Sequence, residues 1–381
     1  MPIHLSEGWR RLGCHVEEFF YGTHMGKSWS AQGLRANKDV NACLLATART
    51  LKAKGRLDLI FAVIYDDVLE TETVRALRAL GVPLVNYHVD LVGQWYRILR
   101  TGRYFDRVAC AHRDHWPALE RSGIRPYYMP MAANPPEFSV SSGQPRIEFN
   151  GVLYLGSPWP HRKDILVTLE RKGVPLHIYG HNWIPDSTSR VKSKDHPNAQ
   201  PLRKGIHDVA HYLLPRLREK EWKGVVRSLQ GRLKLPLGNN RGATLFPEGI
   251  VMGSYKQGDF LHLVKGAAIN LGFTHFVGEP GTVAERRQVR LRDFEVPMAG
   301  GFYMTQDCLQ LRELFGLDEH VVGWNDPDDL VEKIHYFLQH PAERDRIADS
   351  GRQYCLKTHT WAQRFKGLLA ELGMKPPPSP E

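Results

Sequence analysis

The sequence is poor in the features that mark secreted and membrane-spanning proteins. Its 381 residues include only five cysteines, scattered and without a C-x-x-C pair, so we expect free thiols in a reducing cytoplasm. No run of 18 or more apolar residues is present, which predicts no transmembrane helix. The opening residues, MPIHLSEGWRRLG, also lack the pattern of a signal peptide. An apolar content of 42% and a charged content of 24% indicate a globular protein of two ordinary-sized domains.

Acidic residues are scarce in one part of the chain. The net charge is +10, and residues 186–241 hold thirteen Lys and Arg against five Asp and Glu, an excess of eight positive charges. A basic segment of this kind suits anionic lipid, nucleic acid or a phosphorylated acceptor. It is also typical of a solvated insertion whose charge only aids solubility, and the sequence leaves both interpretations open.

Two features of nucleotide-binding domains are incomplete near the N-terminus. Residues 22–28, GTHMGKS, follow a predicted strand over residues 16–21, but three residues separate the two glycines where a P-loop needs four. This spacing excludes a P-loop NTPase and leaves His24 and Lys27 as candidate cleft residues. The chain also opens on a short helix, so the strand that normally precedes the first helix of such an α/β domain is missing.

Beyond this region the chain alternates strand and helix patterns. Apolar, β-branched runs predict strands over residues 57–65, 82–87, 105–111, 127–131, 152–155, 176–179, 268–271, 302–305 and 320–324. A segment rich in Pro, Ser and Gly, residues 132–146, is typical of an interdomain linker. The alternation predicts doubly wound α/β domains with parallel sheets. Ligands of such sheets lie at the carboxyl ends of strands, which indicates Asp67, His88 and Asp90 as candidates.

The most informative stretch is GEPGTVAERRQVRLRDFEVPMAGGFYMT, residues 278–305. Its glycine-bearing loop is predicted to lead into a helix, whose first N–H groups favour an anion. Gln288, Arg292 and Glu295 recur at i, i+4 and i+7, which predicts that they share one face of this helix. Arg292 can bind phosphate and Glu295 can accept from two hydroxyls, which together fit a diphosphate and a ribose. An internal Arg292–Glu295 ion pair is the alternative.

A resemblance to a known family covers residues 278–366 closely and residues 55–183 more loosely. The segments that carry it are RLRDFEVPMAGGFYMT, LRELF, HVVGWNDPDDLVEKIHYFLQHPAERDRIADSG and THTWAQR. They resemble the C-terminal half of the spore-maturation (CgeB-type) glycosyltransferases, which are similar in turn to the GT-B group of nucleotide-sugar transferases. The resemblance therefore implies an α/β fold with two Rossmann-like, doubly wound domains facing a central cleft.

The same resemblance implies a division of labour between the domains. Residues 1–140 would form the N-terminal acceptor domain, and residues 141–381 the C-terminal nucleotide-sugar donor domain. The basic segment, residues 185–245, would be an insertion in the donor domain. The last helix, residues 360–373, would cross back to the first domain.

Donor contacts carry over residue by residue. Glu295 matches the glutamate that bonds the donor ribose in related transferases, and Arg292 matches the arginine two residues before Phe294. Position 287 holds an arginine where related enzymes often carry a second glutamate, which breaks the paired-glutamate pattern. The remaining donor-binding candidates are loop, turn and basic residues: Gly156, Ser157, Arg162, Lys163, Gly281, Thr282, Gly300 and Gly301.

Candidate catalytic residues come from both halves of the chain. Arg292 is expected to stabilise the leaving diphosphate. The segment VPLVNYHVD resembles the strand and histidine of glycogen-synthase-like retaining transferases, which would turn His88 toward the donor sugar. Asp90 and Asp67 are the candidate bases for an inverting reaction.

These observations predict a glycosyltransferase in which an acceptor hydroxyl displaces uridine or guanosine diphosphate from an anomeric carbon. We expect a cytoplasmic enzyme, free or peripheral to the inner membrane face, with no bound metal and no cofactor besides the nucleotide-sugar co-substrate. A surface glycan, a lipid-linked glycan, a protein and a nucleic acid all remain open as acceptors. Two alternatives also remain: a non-catalytic nucleotide-sugar- or nucleic-acid-binding protein on a degenerate GT-B fold, and a GT-B sugar epimerase.

Overall fold

The computed structural model describes residues 2–21, 31–66, 68–89, 91–135, 148–183, 246–277 and 285–377. These residues divide into two compact units. The first sheet unit is residues 17–130. The second sheet unit is formed by residues 2–16, 131–183 and 246–377.

The first sheet unit is built on four parallel strands in the order β1-β2-β3-β4. The strands are β1 Ile60–Ala62, β2 Leu84–His88, β3 Arg107–Cys110 and β4 Pro126–Tyr128. Helices α2 Ala31–Ala53, α3 Thr71–Arg78, α4 Leu91–Gln94 and α5 Trp116–Arg121 accompany them, with short 3-10 turns at Trp95–Ile98 and Gly102–Tyr104. All five residues of β2 are buried, because apolar side chains cover both faces of the strand. The predicted parallel sheet is thus confirmed for this unit.

The strand predicted over residues 16–21 is wrong. Residues 14–21 have no regular secondary structure, and the aromatic side chain of Phe20 is 47% exposed. The hydroxyl of Tyr21 donates to the carbonyl of Val63, the residue after β1, at 2.8 Å. Residues 16–21 therefore add no strand to the sheets of the described residues.

The second sheet unit contains a six-stranded parallel sheet in the order β12-β11-β8-β5-β6-β7. Its strands are β5 Phe149–Leu155, β6 Leu176–Tyr179, β7 Val251–Gly253, β8 Ala267–Gly272, β11 Tyr303–Gln306 and β12 Val322–Trp324. Strands β9 His275–Val277 and β10 Arg286–Arg287 form a separate antiparallel pair. The chain runs outward from β5 to β7, then returns to β8 on the other side of β5. The strand order therefore reverses between β5 and β8, the position where open α/β sheets bind ligands.

Helices cover the six-stranded sheet and bury its apolar faces. They are α6 Pro160–Arg171, α7 Phe260–Gly266, α8 Arg292–Ala299, α9 Leu309–Leu314, α10 Pro327–Gln339, α11 Pro341–Thr358 and α12 Trp361–Glu371, with a 3-10 turn at Gln257–Asp259. Val152, Ile178, Ile269, Met304 and Val322 are fully buried in the core of this unit. None of the helices in the described part of the chain is long and apolar enough to cross a membrane.

The N-terminal helix, α1 Pro2–Arg11, belongs to the second sheet unit. Trp9 of α1 stacks on Phe365 of α12 with 3.9 Å between the ring centroids. Gly8 permits this approach, because an added Cβ would lie 2.4 Å from the Cβ of Trp361. The contact buries the aromatic side chains of both helices, so α1 packs its apolar face against α12.

The helix predicted in the 278–305 stretch is shorter than its periodicity indicates. It begins at Arg292, and β10 lies between it and the preceding loop, so that loop does not lead directly into the helix N-terminus. Gln288 precedes the helix, is 1% exposed, and donates its backbone N–H to the carbonyl of Thr274 at 2.8 Å. The prediction that Gln288 shares a helix face with Arg292 and Glu295 is therefore wrong.

Candidate functional site

The carboxyl end of β5 is shaped by two glycines. The N–H of Gly156 donates to the carbonyl of Tyr179 at 2.9 Å, and its own carbonyl accepts from the indole of Trp183 at 2.7 Å. An added Cβ at Gly180 would lie 2.1 Å from the carbonyl oxygen of Gly156. The two loops that follow β5 and β6 therefore meet closely, and Ser157 begins the segment that leads to α6.

Helix α6 starts at this edge of the sheet and brings Arg162 inside. No side chain forms a capping hydrogen bond at its N-terminus, where Trp159 precedes Pro160. Arg162 is 9% exposed and donates to the hydroxyl of Tyr154 at 3.0 Å. Lys163, the next residue, is half-buried. Arg162 is thus a buried group at the helix start and not a solvated surface charge.

Three guanidinium groups act on the phenol of Tyr154. Burial raises its pKa, and the positive charges of Arg162, Arg290 and Arg292 oppose that rise. Arg162 follows β5, whereas Arg292 begins α8 and Arg290 lies two residues before it, so the gathering of their charges depends on the fold. Positive groups gathered beside a helix N-terminus at the switch point of a parallel sheet form a suitable environment for an anion.

Arg292 is held by three partners. Its Nη1 forms an ion pair with Glu295 and its Nη2 donates to the hydroxyl of Tyr255. Its guanidinium also lies over the ring of Phe260, 4.6 Å from the centroid. The internal Arg–Glu pair named as the alternative interpretation is therefore present, and the Arg292 side chain remains 36% exposed. Tyr255 is not part of any motif, and no pattern in the sequence predicts its contact with Arg292, which is 37 positions away.

Asp293 anchors the start of α8 and was not singled out by the sequence. It is 1% exposed and accepts from the backbone N–H of Arg290 at 2.5 Å. The hydroxyls of Tyr303 and Thr305 donate to its other oxygen at 3.0 and 2.8 Å. Burial raises the pKa of Asp293, and these three donors oppose the rise. Asp293 lies between Arg292 and Phe294 in the sequence, but only the fold shows which groups it binds.

Arg287 occupies the position where a second glutamate was expected. Its Nε donates to Glu285 at 2.7 Å, and its Nη1 donates to the carbonyl of Asp307 at 2.7 Å. His161, at the start of α6, lies with its ring centroid 4.3 Å from that of His275. Burial lowers the pKa of His161, His275 and Arg287 lower it further, and Glu285 opposes them. Arg287 therefore brings a carboxylate, Glu285, into electrostatic reach of the α6 N-terminus.

Gly300 and Gly301 are explained by packing within the second sheet unit. Gly300 ends α8 with φ at 82°, in the left-handed region that favours glycine. An added Cβ at Gly301 would lie 2.5 Å from a methyl carbon of Val264 and 2.8 Å from the amide nitrogen of Asn270. These glycines let the end of α8 approach α7 and β8, and this approach positions the whole helix.

His88 lies in the interior of the first sheet unit. It is 1% exposed, and its Nε2 is 3.2 Å from the carbonyl of Gln94. Burial lowers its pKa to about 4, so the ring is neutral at physiological pH. Five other candidates, His24, Asp67, Asp90, Gly281 and Thr282, lie outside the described residues, as do Lys27 and the basic segment. Within the described residues, no group of three or more His, Cys, Asp or Glu side chains could hold a metal ion.

Comparisons with known proteins agree with this architecture. Residues 238–370 match the family model described as glycosyl transferase-like. A structure of Anabaena Alr3699/HepE in complex with UDP and glucose is similar, with a TM-score of 0.51 and 12% identity, over 91% of this chain and 83% of that one. None of the curated proteins matches the chain in sequence.

Two further solved structures are similar at lower scores. A glycosyltransferase from Rickettsia africae ESF-5 has a TM-score of 0.48 and 11% identity, over 94% of this chain and 83% of that one. A sucrose-phosphate synthase from Thermosynechococcus elongatus has a TM-score of 0.46 and 13% identity, over 88% of this chain and 78% of that one. The predicted α/β fold of the GT-B type is confirmed by the likeness to the Anabaena structure. Residues 238–370 thus resemble the glycosyl transferase-like family, and the described residues have a fold of the GT-B type.

Proposed function

We propose that the protein transfers a sugar from a uridine or guanosine diphosphate donor to an acceptor hydroxyl, as a member of the CgeB-type group. The observation that carries this proposal is the buried hydrogen bond of Arg162 to Tyr154 at 3.0 Å, with the charges of Arg290 and Arg292 acting on the same phenol. Their positive charges lie at the switch point of a parallel sheet, beside the N-terminus of α6. A diphosphate group fits such a site because guanidinium forks and helix N–H groups both bind phosphate oxygens.

In this reaction the donor domain has to stabilise the leaving diphosphate. The acceptor oxygen attacks the anomeric carbon, the bond to the diphosphate oxygen breaks, and negative charge grows on the departing nucleoside diphosphate. The acceptor proton passes to a base, which is Asp67 or Asp90 in an inverting reaction and the departing diphosphate in a retaining one. Fixed positive groups stabilise that charge in the transition state without reorganising. We assign this role to Arg162 and Arg292, with Lys163 and the backbone around Gly156 and Ser157 as further donor contacts.

Glu295 is the proposed ligand of the donor ribose. Its side chain is 14% exposed and is already oriented by the ion pair with Arg292. A carboxylate held in this way can accept from two vicinal hydroxyls without losing much side-chain entropy on binding. The Anabaena relative was solved with UDP and glucose, so UDP is the first donor nucleotide to test.

Titration calorimetry with UDP and GDP tests this assignment. Glu295→Ala should weaken binding of the preferred diphosphate by about 2–3 kcal/mol, because two hydrogen bonds to hydroxyls are lost. Glu343→Ala is the matched control, since Glu343 forms an exposed i,i+3 pair with Arg346 on α11. Equal affinity in wild type and Glu295→Ala would remove Glu295 from the site. Failure of wild type to bind either diphosphate would contradict the proposed function itself.

The positive charge of the basic segment indicates the kind of acceptor. The excess of eight positive charges over residues 186–241 exceeds what a diphosphate needs, which favours an acceptor or surface that is itself anionic. We therefore propose a cytoplasmic enzyme that works at the inner membrane face on a lipid-linked or phosphorylated acceptor. The donor nucleotide-sugar is the co-substrate in this scheme, and neither a metal nor another cofactor is assigned.

A further inference from the structure

Trp159 is an exposed aromatic residue at the edge of the anion site. Its side chain is 51% exposed, unlike Trp95, Trp324 and Trp361, which are all buried. Trp159 is the residue before Pro160 at the start of α6, and its carbonyl accepts from the N–H of Lys163 at 3.0 Å. A large apolar ring held open at a ligand-binding edge is typical of a contact surface for a ligand.

Trp159 lies near an aromatic residue that follows the other strand at the reversal of the sheet order. It follows β5, and its ring centroid lies 6.4 Å from that of Phe276, which follows β8. The guanidinium of Arg162 is 6.0 Å from the Trp159 ring, and that of Arg290 is 5.4 Å from the Phe276 ring. Trp159 and Phe276, which we call the aromatic platform, are therefore flanked by two of the three cations of the anion site.

The order of interactions across the site resembles the order of groups in a nucleotide-sugar. Glu295 pairs with Arg292, the charge of Arg292 acts on the phenol of Tyr154, and that phenol accepts from Arg162. Arg162 then reaches the ring of Trp159. The groups of a nucleotide-sugar follow one another in the order ribose, diphosphate, sugar. With the ribose on Glu295 and the diphosphate on the guanidinium groups, the aromatic platform lies at the sugar end.

We infer that the aromatic platform binds the glycosyl ring of the donor, with Trp159 as the stacking residue. This inference rests on the proposed function. A pyranose ring presents apolar C–H groups on its faces and hydroxyls around its rim, so an aromatic side chain packs against a face while polar groups bind the rim.

A polar group suited to the rim lies beside the platform. His161 is two residues from Trp159, and its Nε2 is buried without a hydrogen-bond partner among the described residues. Glu285 acts electrostatically on the same ring. A sugar hydroxyl would supply the missing partner of His161, because a hydroxyl can both donate and accept.

Binding measurements with and without an attached sugar test this inference. Affinities for UDP, UDP-glucose and UDP-N-acetylglucosamine would be measured on wild type, Trp159→Ala and Trp159→Phe. Trp159→Ala should weaken the better UDP-sugar about five- to tenfold while UDP changes less than about twofold, because only the sugar stacks on the ring. Trp159→Phe should restore most of the loss. Tyr336→Ala, which removes another exposed aromatic side chain of the same unit, is the control.

Each other result overturns a distinct claim. If Trp159→Ala weakened UDP and UDP-sugars equally, the platform would contact the nucleotide and the inference would be wrong. If wild type bound UDP but gained no affinity from either sugar, the platform would have no glycosyl ligand. If wild type bound neither these three compounds nor GDP, the proposed function would fail first, and the inference would fail with it. If it bound GDP alone, the same comparison would be made with GDP and two GDP-sugars, with the same results overturning the inference.

Discussion

Asp293 and Thr305 join helix α8 to strand β11 by a buried hydrogen bond of 2.8 Å between the hydroxyl and the carboxylate. Tyr303 adds a second hydroxyl to the same oxygen, and Gly272 leaves room for it, since an added Cβ there would lie 2.0 Å from the Tyr303 oxygen. The helix that carries Arg292 and Glu295 is thus fixed to the sheet through one residue between them. The position of the proposed donor contacts depends on this buried network.

Removing the Asp293 carboxylate should destabilise the protein. Asp293→Ala leaves the hydroxyls of Tyr303 and Thr305 and the N–H of Arg290 without an acceptor in the core, so we expect the free energy of unfolding to fall by about 2–4 kcal/mol. Chemical denaturation measures this change. Asp328→Ala is the control, because Asp328 pairs with Lys172 at the surface and should matter little. Equal effects of the two variants would show that the network does not stabilise the fold.

Turnover should depend on the guanidinium geometry of Arg292. Arg292→Lys replaces a fork that reaches both Glu295 and Tyr255 by a single point charge, so kcat should fall at least about tenfold at saturating donor. Tyr255→Phe removes one partner and keeps the ring, and it should cause a smaller loss of the same kind. Steady-state kinetics measure both. Arg346→Lys, in the exposed pair with Glu343, should leave kcat unchanged. An unchanged kcat in Arg292→Lys would assign Arg292 a structural role alone.

Acid should destabilise the protein through His359. Its Nε2 donates to the carbonyl of Leu314 at 2.8 Å, and its Nδ1 accepts from Arg364 at 2.8 Å, which leaves no place for a second proton. Burial and the Arg364 charge lower its pKa to about 4. The unfolded chain binds a proton near pH 6.5 and the folded chain only near pH 4. Stability is therefore complete above pH 6.5 and is lost as pH falls between these values.

Urea denaturation as a function of pH tests this dependence. A single such histidine lowers the free energy of unfolding by up to about 1.4 kcal/mol per pH unit in this window. His359→Gln keeps a donor and an acceptor but cannot titrate, so its pH slope should be smaller than that of wild type. His88, with its pKa also near 4, should add to the slope of wild type and variant alike. Identical slopes in the two proteins would contradict the assignment to His359.

The basic segment should bind an anionic partner independently of the donor. Neutralising Lys192, Lys194, Arg203 and Lys204 should weaken sedimentation with anionic liposomes by about 1 kcal/mol per charge, while donor hydrolysis persists. Salt should weaken the wild-type interaction in the same way. Gel shifts with DNA and RNA under the same conditions separate the classes of partner. Tight nucleic-acid binding without donor turnover would favour the binding-protein alternative, and no binding at low salt would make the segment a solvated insertion.

The sequence predicts much of the sheet architecture because buried parallel strands leave a strong local signal. Strand Leu176–Tyr179 has the bounds expected from its apolar pattern. Helical periodicity continues through the segment around Gln288, yet pairing with β9 makes Arg286–Arg287 a strand. That pairing joins residues about ten positions apart, so the local sequence pattern does not predict it.

By itself the sequence determined which chemical groups the site offers. The spacing of Arg292 and Glu295 places them one turn apart on a helix, so their pairing follows from helical geometry alone. Only the tertiary structure decided what surrounds them. Tyr255 reaches Arg292 from 37 residues away, and Arg162 meets the charges of α8 across the sheet because β5 and β8 are neighbours. Such contacts arise when burial of apolar surface brings distant elements together, and no local pattern encodes which polar groups then meet.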